Sequence, residues 1–304
     1  MIEVLVPGPL TSVQDAFGRP DWRHLGVPVG GAADAWSARL ANRMAGNSDN
    51  DALLEITLGG LELRCETAAN AALVGGMSVS VDSLPVAANA VFPARAGSVI
   101  RVDPGSGARG YLAVAGGIMV PPILGSRSTD LRSGFGGHDG RALRSGDLLE
   151  IGSSSTTPRR WTGSRPDGPI RIVPGPHATG ISLDGEWTVG TEADRTGVRL
   201  DGRRLEALGE VPSMGLPLGA VQVPPDGRPI VMLADRPVTG GYPVPACVIR
   251  ADVGRVAQLR PGDKVTFASV SLGEAREALA SAEAELAALE APGDENLGWT
   301  GSHE

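Results

Sequence analysis

Four polar clusters punctuated by glycine carry the residues of this chain best suited to chemistry. The first, Thr11-Ser-Val-Gln14-Asp15-Ala-Phe-Gly18-Arg19, gathers an amide, a carboxylate and a guanidinium in one short stretch. Such a set suits a polar, planar substrate held by charge-assisted hydrogen bonds, and it reads equally as a turn with a local Asp15–Arg19 pair. The second, Gly26-Val-Pro-Val-Gly30-Gly31-Ala-Ala-Asp34, runs into a helix. Its amides could cradle an anion, although Asp34 in the cap position would repel one. The third, Gly125-Ser-Arg127-Ser128-Thr129-Asp130-Leu-Arg132, sets hydroxyls between two arginines and a carboxylate. It fits carboxylate or phosphate recognition, or a solvated Ser–Thr–Asp turn. The fourth joins Gln222 to Asp235-Arg236-Pro-Val-Thr239-Gly240-Gly241-Tyr242, where two glycines allow close backbone approach beside a charged pair.

Other chemistries lack their residues. There is no G-x-S-x-G elbow, and the four histidines have no metal-ligand spacing. Lys264 is the only lysine, which removes both a P-loop and a biotin-carrying lysine between methionines. Cys65 and Cys247 form no CxxC and read as small buried residues rather than a redox pair. With 27 Lys and Arg against 35 Asp and Glu, the net charge of −8 gives no field for nucleic acid or anionic membrane. The longest apolar run, Tyr111 to Leu124, is broken by Gly116-Gly117 and Pro121-Pro122, short of a membrane span. The N-terminus has neither a positive n-region nor a long apolar h-region, so a cytoplasmic protein is expected.

A length of 304 residues corresponds to about two domains. The 43 glycines and 24 prolines bound short β-like runs at 79–81, 98–102, 170–173, 220–223, 229–233 and 264–267, the pattern of barrels or sandwiches. Residues 152–168 read as a linker. On either side of it the punctuation repeats. Val-Pro-Gly-Pro opens each half at 6–9 and 173–176, and Leu143-Arg-Ser-Gly-Asp147 and Leu259-Arg-Pro-Gly-Asp263 close them, which points to a duplicated unit. Two helices are expected, one capped by Asp34 and stopped by Gly46-Asn47, the other from about Glu274 to Glu290 with Ala275, Leu279, Ala282, Leu286 and Leu289 on one face. Residues 294–304 are expected to fray.

Taken together, Thr11-Ser-Val-Gln-Asp-x-x-Gly-Arg19, Gly26-x-Pro-x-Gly-Gly-Ala-x-Asp34, Leu54-Glu-Ile-Thr-Leu-Gly59, Tyr111-Leu-Ala-Val-Ala-Gly-Gly-Ile118, Leu124-Gly-Ser-Arg-Ser-Thr-Asp-Leu131, Gln222-Val-Pro-Pro-Asp-Gly227 and Thr239-Gly-Gly-Tyr-Pro243 resemble a known family over residues 1–270. It is the biotin-dependent carboxyltransferase-like family, also called KipA-like or allophanate hydrolase subunit 2, which includes one component of the bacterial 5-oxoprolinase. The resemblance implies a mainly β fold of two cyclophilin-like β-barrel domains with a few helices, at 1–155 and 169–272, followed by a C-terminal helix and tail at 273–304. It further implies an enzyme active only in a complex with a KipI-like partner and a third 5-oxoprolinase component. That enzyme would hydrolyse 5-oxo-L-proline to L-glutamate with ATP bound by or shared with one of those partners, and this chain would carry no biotin. Asp235, Arg236 and Asp15 would then be catalytic, and Gln14, Arg19, Gln222, Thr239, Gly240, Gly241, Tyr242, Arg127, Ser128 and Thr129 would bind substrate.

The chain departs from the family's usual pattern at Met214, at Pro237-Val238 and at Ala193–Leu200. Two other functions therefore stay open: a carboxyltransferase acting on urea or a related amide, and a non-catalytic regulator that antagonises a kinase inhibitor.

Overall fold

The computed structural model describes residues 1–289, apart from 88, 155, 156, 207, 208 and 210. The fold is mainly β, as expected, and each half builds its own core. In the first half a six-stranded and a five-stranded antiparallel sheet face each other. The six-stranded sheet runs in the order Leu148–Leu149, Ile2–Pro7, Leu61–Cys65, Val99–Asp103, Ser78–Val81, Leu84–Val86. The five-stranded sheet runs Leu10–Gln14, Leu53–Thr57, Arg109–Val114, Ala69–Gly75, Val91–Ala94. Alternation decides what lies between them. Ile2, Val4, Leu61, Leu63, Ile100 and Val102 from one sheet meet Val13, Leu54, Ile56, Leu73, Leu112 and Val114 from the other in a single buried cluster.

Strand Arg109–Val114 is buried at every position, because its second face is covered by helix α1 (Ala35–Ala45). That explains the unbroken apolar run at Tyr111-Leu-Ala-Val. Helix α1 forms as expected: Asp34 caps it by accepting from the Ser37 N–H, and Gly46 ends it at φ 83° in the left-handed region. Alanines 38, 41 and 45 on its inner face let it lie close to the sheet, with Leu40 and Met44 filling the remainder beside Val74 and Tyr111.

The second half is a closed barrel of seven strands: Ile170–Pro174, Ala246–Val248, Ala220–Gln222, Ile230–Met232, Gly197–Asp201, Glu186–Ala193 and Lys264–Ser269. The last pairs parallel with the first to close it. Trp187, fully buried, fills the interior with Val189, Leu200, Val221, Val231 and Val248. Helix α2 (Arg250–Ala257) follows the strand Ala246–Val248 and buries Val253 and Val256. A two-stranded ribbon, Met214–Gly215 with Thr239–Gly240, lies outside the barrel.

The repeated closing turns have the same chemistry. In each, the Asp carboxylate accepts from the backbone N–H of the Arg three residues earlier, at 2.7 Å for both Arg144–Asp147 and Arg260–Asp263. They dock on different strands, since Gly146 donates to Val4 while Gly262 donates to Val189. The two halves thus share turns more closely than topology. The stretch 152–168 is no free tether in its described residues: Trp161 packs edge-on against Trp36 at 5.4 Å, and Arg159 N–H donates to Met44. Cys65 is buried, whereas Cys247 is only half-buried, and neither forms a disulfide.

Helix α3 (Leu272–Ala287) begins slightly earlier than the apolar pattern predicts, because Ser271 and Glu274 form a capping box. Its burial also differs from the expected stripe. Only Leu286 within it is buried, joined by Leu289 beyond it, and Leu279 stays at the exposed boundary. Polar latches hold the middle instead: Arg39 clasps Glu283 through two bonds of 2.6 and 2.7 Å, and Trp36 Nε1 donates to the Ala282 carbonyl. Glu290 and residues 294–304 lie outside the described residues. No helix among the described residues is long and apolar enough to cross a membrane.

The halves meet where α2 crosses the start of α1. Asp34, fully buried, is paired with Arg165 and accepts from Gln258 Nε2 at 3.0 Å, while Ala108 N–H donates to the Gln258 carbonyl. Burial by itself would raise the Asp34 pKa, but Arg165, Gln258 and Ser37 outweigh it and hold the carboxyl below its ordinary value. Gly254 of α2 lies directly against that carboxylate, and a Cβ there would overlap Asp34 Oδ1. Gly254→Ala should therefore cost about 1–3 kcal/mol by overpacking, read as a lowered midpoint in urea denaturation. Asp147 offers a pH test. Its pKa is lowered to about 2, chiefly by hydrogen bonds from Arg141, so this pair stabilises the fold above the ordinary carboxyl pKa and stops doing so as pH falls through about 2. In Arg141→Ala the Asp147 carboxyl should titrate nearer its ordinary pKa by NMR.

Candidate active site

Asp15 is the anchor of the region, just after strand Leu10–Gln14. Its carboxylate accepts four bonds of 2.7 Å, from Gly18 N–H, Ser126 Oγ, Arg127 N–H and Ser128 Oγ. Those donors occupy both oxygens of a side chain only 1% exposed. Asp15 thereby ties loop 15–19 to loop 126–130. Gly18, at φ 64°, has no room for a Cβ, which would overlap the Val29 carbonyl, and Arg19 N–H donates to that same oxygen at 2.8 Å. Ala32 N–H donates to Asp15 O, so the Gly26–Asp34 loop is laid along the first cluster.

The outcome is the placement of Arg19. Its side chain is buried, with Nη2 donating to the Ser128 carbonyl at 2.5 Å and the guanidinium 4.8 Å from the Phe135 ring centre. Nε and Nη1 have no partner among the described residues. Burial lowers the Arg19 pKa, opposed by Asp15, Asp130 and Asp235. An unmatched buried N–H costs about 1–3 kcal/mol, and two on one guanidinium make this the most acceptor-hungry group in the region. Two acceptors nearby are also unmatched: Gln14 Oε1, whose Nε2 donates to the Thr129 carbonyl, and Asp130 Oδ2. Arg19 and Gln14 donate to the Ser128 and Thr129 carbonyls, so their unmatched atoms and Asp130 Oδ2 border one segment. Gly30 closes the other side; a Cβ there would stand 3.3 Å from Arg19 Nη1 and 3.9 Å from Asp235 Oδ1.

Asp235 comes from the second half, and Arg195 holds it there. The Arg195 guanidinium forms a fork on Asp235 at 2.8 and 2.9 Å, bonds Glu55 Oε1 at 2.5 Å and donates to the Gly31 carbonyl at 2.7 Å. Glu55 accepts from Ala33 N–H through its other oxygen. Burial alone would lower the Arg195 pKa, but Asp235 and Glu55 outweigh it and hold the guanidinium well above its ordinary value. With both oxygens engaged, Asp235 is suited to orienting a donor rather than to removing a proton.

Other expected site residues are placed elsewhere. Arg236 turns away from Arg19, its Nε donating to Leu216 O at 3.0 Å and its Nη1 to Leu233 O at 3.3 Å. Gln222 is buried with Nε2 unpartnered, close to Gly240, while Thr239 and Tyr242 are exposed and Gly241 half-buried. Arg127 Nε donates to Val120 O, whereas Thr129 stays at the junction, its Oγ1 donating to Val13 O. The cluster at the junction is therefore Gln14, Asp15, Arg19, Ser128, Thr129 and Asp235. Glu55 and Arg195 were missed as site residues. Their signal was present in Glu55, a carboxylate inside the apolar strand Leu53–Thr57, which requires a buried cation. Among the described residues no group of three or more His, Cys, Asp or Glu could hold a metal ion.

Known proteins resemble this chain over most of its length. It is 39% identical to the 5-oxoprolinase C subunit of Escherichia coli (strain K12) over 91% of this chain and 94% of that protein. It is 36% identical to the Haemophilus influenzae protein of the same name, over 90% and 93% respectively. Among solved structures, the Kluyveromyces lactis urea amidolyase superposes with a TM-score of 0.86 at 32% identity, covering 94% of this chain but only 20% of that much longer one. Residues 25–269 match the carboxyltransferase domain, subdomain A and B, so this chain belongs to that family.

Proposed function

We propose that this chain is the C subunit of an ATP-dependent 5-oxoprolinase, active in complex with a KipI-like B subunit and with the enzyme's third, A subunit. The observation that carries the reading is the buried Arg19, whose Nε and Nη1 have no partner among the described residues, at a junction to which Asp235 of the second half also contributes. A lactam presents a planar C=O and N–H side by side. Arg19 Nε and Nη1 would receive the lactam oxygen, and Gln14 Oε1 or Asp130 Oδ2 would accept from the ring N–H. ATP, bound by or shared with one of the partners, would phosphorylate the lactam oxygen with release of ADP; water then adds to the lactam carbon, the ring C–N bond breaks to free the amine and leave an acyl phosphate, and a second water releases phosphate to give glutamate. Arg19 then offsets the charge that gathers on that oxygen as water adds to the carbon, an interaction strongest in the transition state. Asp235, fixed by Arg195, would orient the water or the ring nitrogen. The near-complete mutual coverage with two proteins named as 5-oxoprolinase C subunits supports the choice of substrate.

A second reading is an amide such as urea, favoured by the fit to the urea amidolyase. It uses the same donors and acceptors, with a carboxyl group delivered by a biotin carrier on another chain or domain.

Co-expression with both partners, followed by measurement of glutamate and ADP released from 5-oxoproline, tests the proposal. Coupled ATP-dependent release is expected, and an assembled complex without turnover overturns it. Arg19→Gln should lower kcat/KM by about 10²–10³ without dissociating the complex, as for a lost oxyanion donor. Glu55→Ala removes one of the two carboxylates facing Arg195 and should destabilise the isolated chain by about 3–5 kcal/mol, read by chemical denaturation.

A further inference from the structure

Beside the Gly26–Asp34 loop lies a cavity of about 240 Å³ between α1, α2, α3 and the second barrel. Phe17, Val29, Trp36, Leu218 and Val253 give it carbon walls. Its charged lining is Arg39, Arg236, Arg250 and Glu283. Arg39 and Glu283 neutralise each other through their paired bonds, and Arg39 also holds Asp49. Among the described residues the other two arginines form no ion pair, although Glu283 also acts on Arg250, against burial and Arg39. Arg236 is only 7% exposed, and its two side-chain bonds, both to backbone carbonyls, leave Nη2 without a partner among the described residues. Arg23 and Arg250, both of its own sign, act on it, opposed by a smaller contribution from Cys247. Burial, with those two arginines adding like charge, draws its pKa down to about 10. Arg250 forms no hydrogen bond or ion pair among the described residues and stands at the first position of α2, whose N-terminus has no side-chain cap.

A buried guanidinium among like charges is costly unless an anion shares its site. Here a second free guanidinium and an uncapped helix N-terminus converge on the same space. We infer that this cavity binds a small, doubly anionic molecule with a short carbon body, such as a dicarboxylate or a phosphomonoester, with Arg236 and Arg250 as its charge partners. The cavity of about 240 Å³ has room for a short diacid or a small phosphomonoester. Two positive groups select two negative charges, and the carbon walls select the body. This binding does not depend on the proposed reaction.

Calorimetric titration of the full chain alone, without ATP or its partners, tests this with glutarate, inorganic phosphate and butyrate as a singly charged control. Saturable binding of glutarate or phosphate is expected. Saturation by glutarate alone assigns dicarboxylates, and by phosphate alone phosphomonoesters. Arg250→Gln, a change at an exposed position that should not disturb folding, should weaken binding about tenfold or more, as for a lost charge-assisted bond. Arg236→Gln, verified as folded by circular dichroism, should weaken it at least as much. No saturable binding of either dianion, equal affinity in wild type and Arg250→Gln, or butyrate binding as tightly as glutarate would each overturn the inference.

Discussion

The contact on which the rest of this structure depends is the buried arginine between two carboxylates of different halves. Arg195 reaches Glu55 on a strand of the first half and Asp235 on a loop of the second, and it also takes the Gly31 carbonyl. Three segments remote in sequence are thereby fixed at one point. The arrangement is self-consistent only when complete, because removing either carboxylate would leave charge in a site that water does not reach. Such a tie adds little net stability compared with apolar packing, but it determines where the second half sits on the first. The loop Gly26–Asp34 is caught between them, with Gly30 N–H donating to Ala234 O and Ala33 N–H to Glu55.

From that tie follows the division of polar residues into those that are satisfied and those that are not. Asp15 collects four donors, Glu55 and Asp235 share a guanidinium, and Asp34 has Arg165, Gln258 and Ser37. Against this background, the unmatched groups of Arg19, Gln14 and Asp130 stand together at the ends of strands and loops that the satisfied groups hold rigid. A site of this kind is preorganised: its donors are fixed before a ligand arrives, so binding requires little rearrangement. The Asp15 hub is the means by which a loop composed of glycine and small residues acquires that rigidity.

Much of the fold was legible in the sequence. Short apolar runs bounded by Gly and Pro became strands, Asp34 and Gly46 bounded α1, and the twin Leu-Arg-x-Gly-Asp turns have one hydrogen-bond pattern. These features are local, set by propensity, capping and turn chemistry within a few residues. Helix α3 was legible as a helix but not in its burial, because what it packs on lies more than two hundred positions earlier, where Arg39 and Trp36 grip it by polar contacts.

The sequence by itself determined the class of the fold, the family motifs and the residue types available for chemistry. It did not determine their partners. Asp235 and Arg236 are adjacent in the chain and face different spaces, one locked to Arg195 and the other turned toward a cavity. Asp15 and Arg19 looked like a mutual pair, yet each bonds to the 126–130 loop. Only the tertiary structure decided these matters, because a buried charge is governed by whichever opposite charges and dipoles the fold brings within a few ångströms. Sequence neighbours fix only which groups are available.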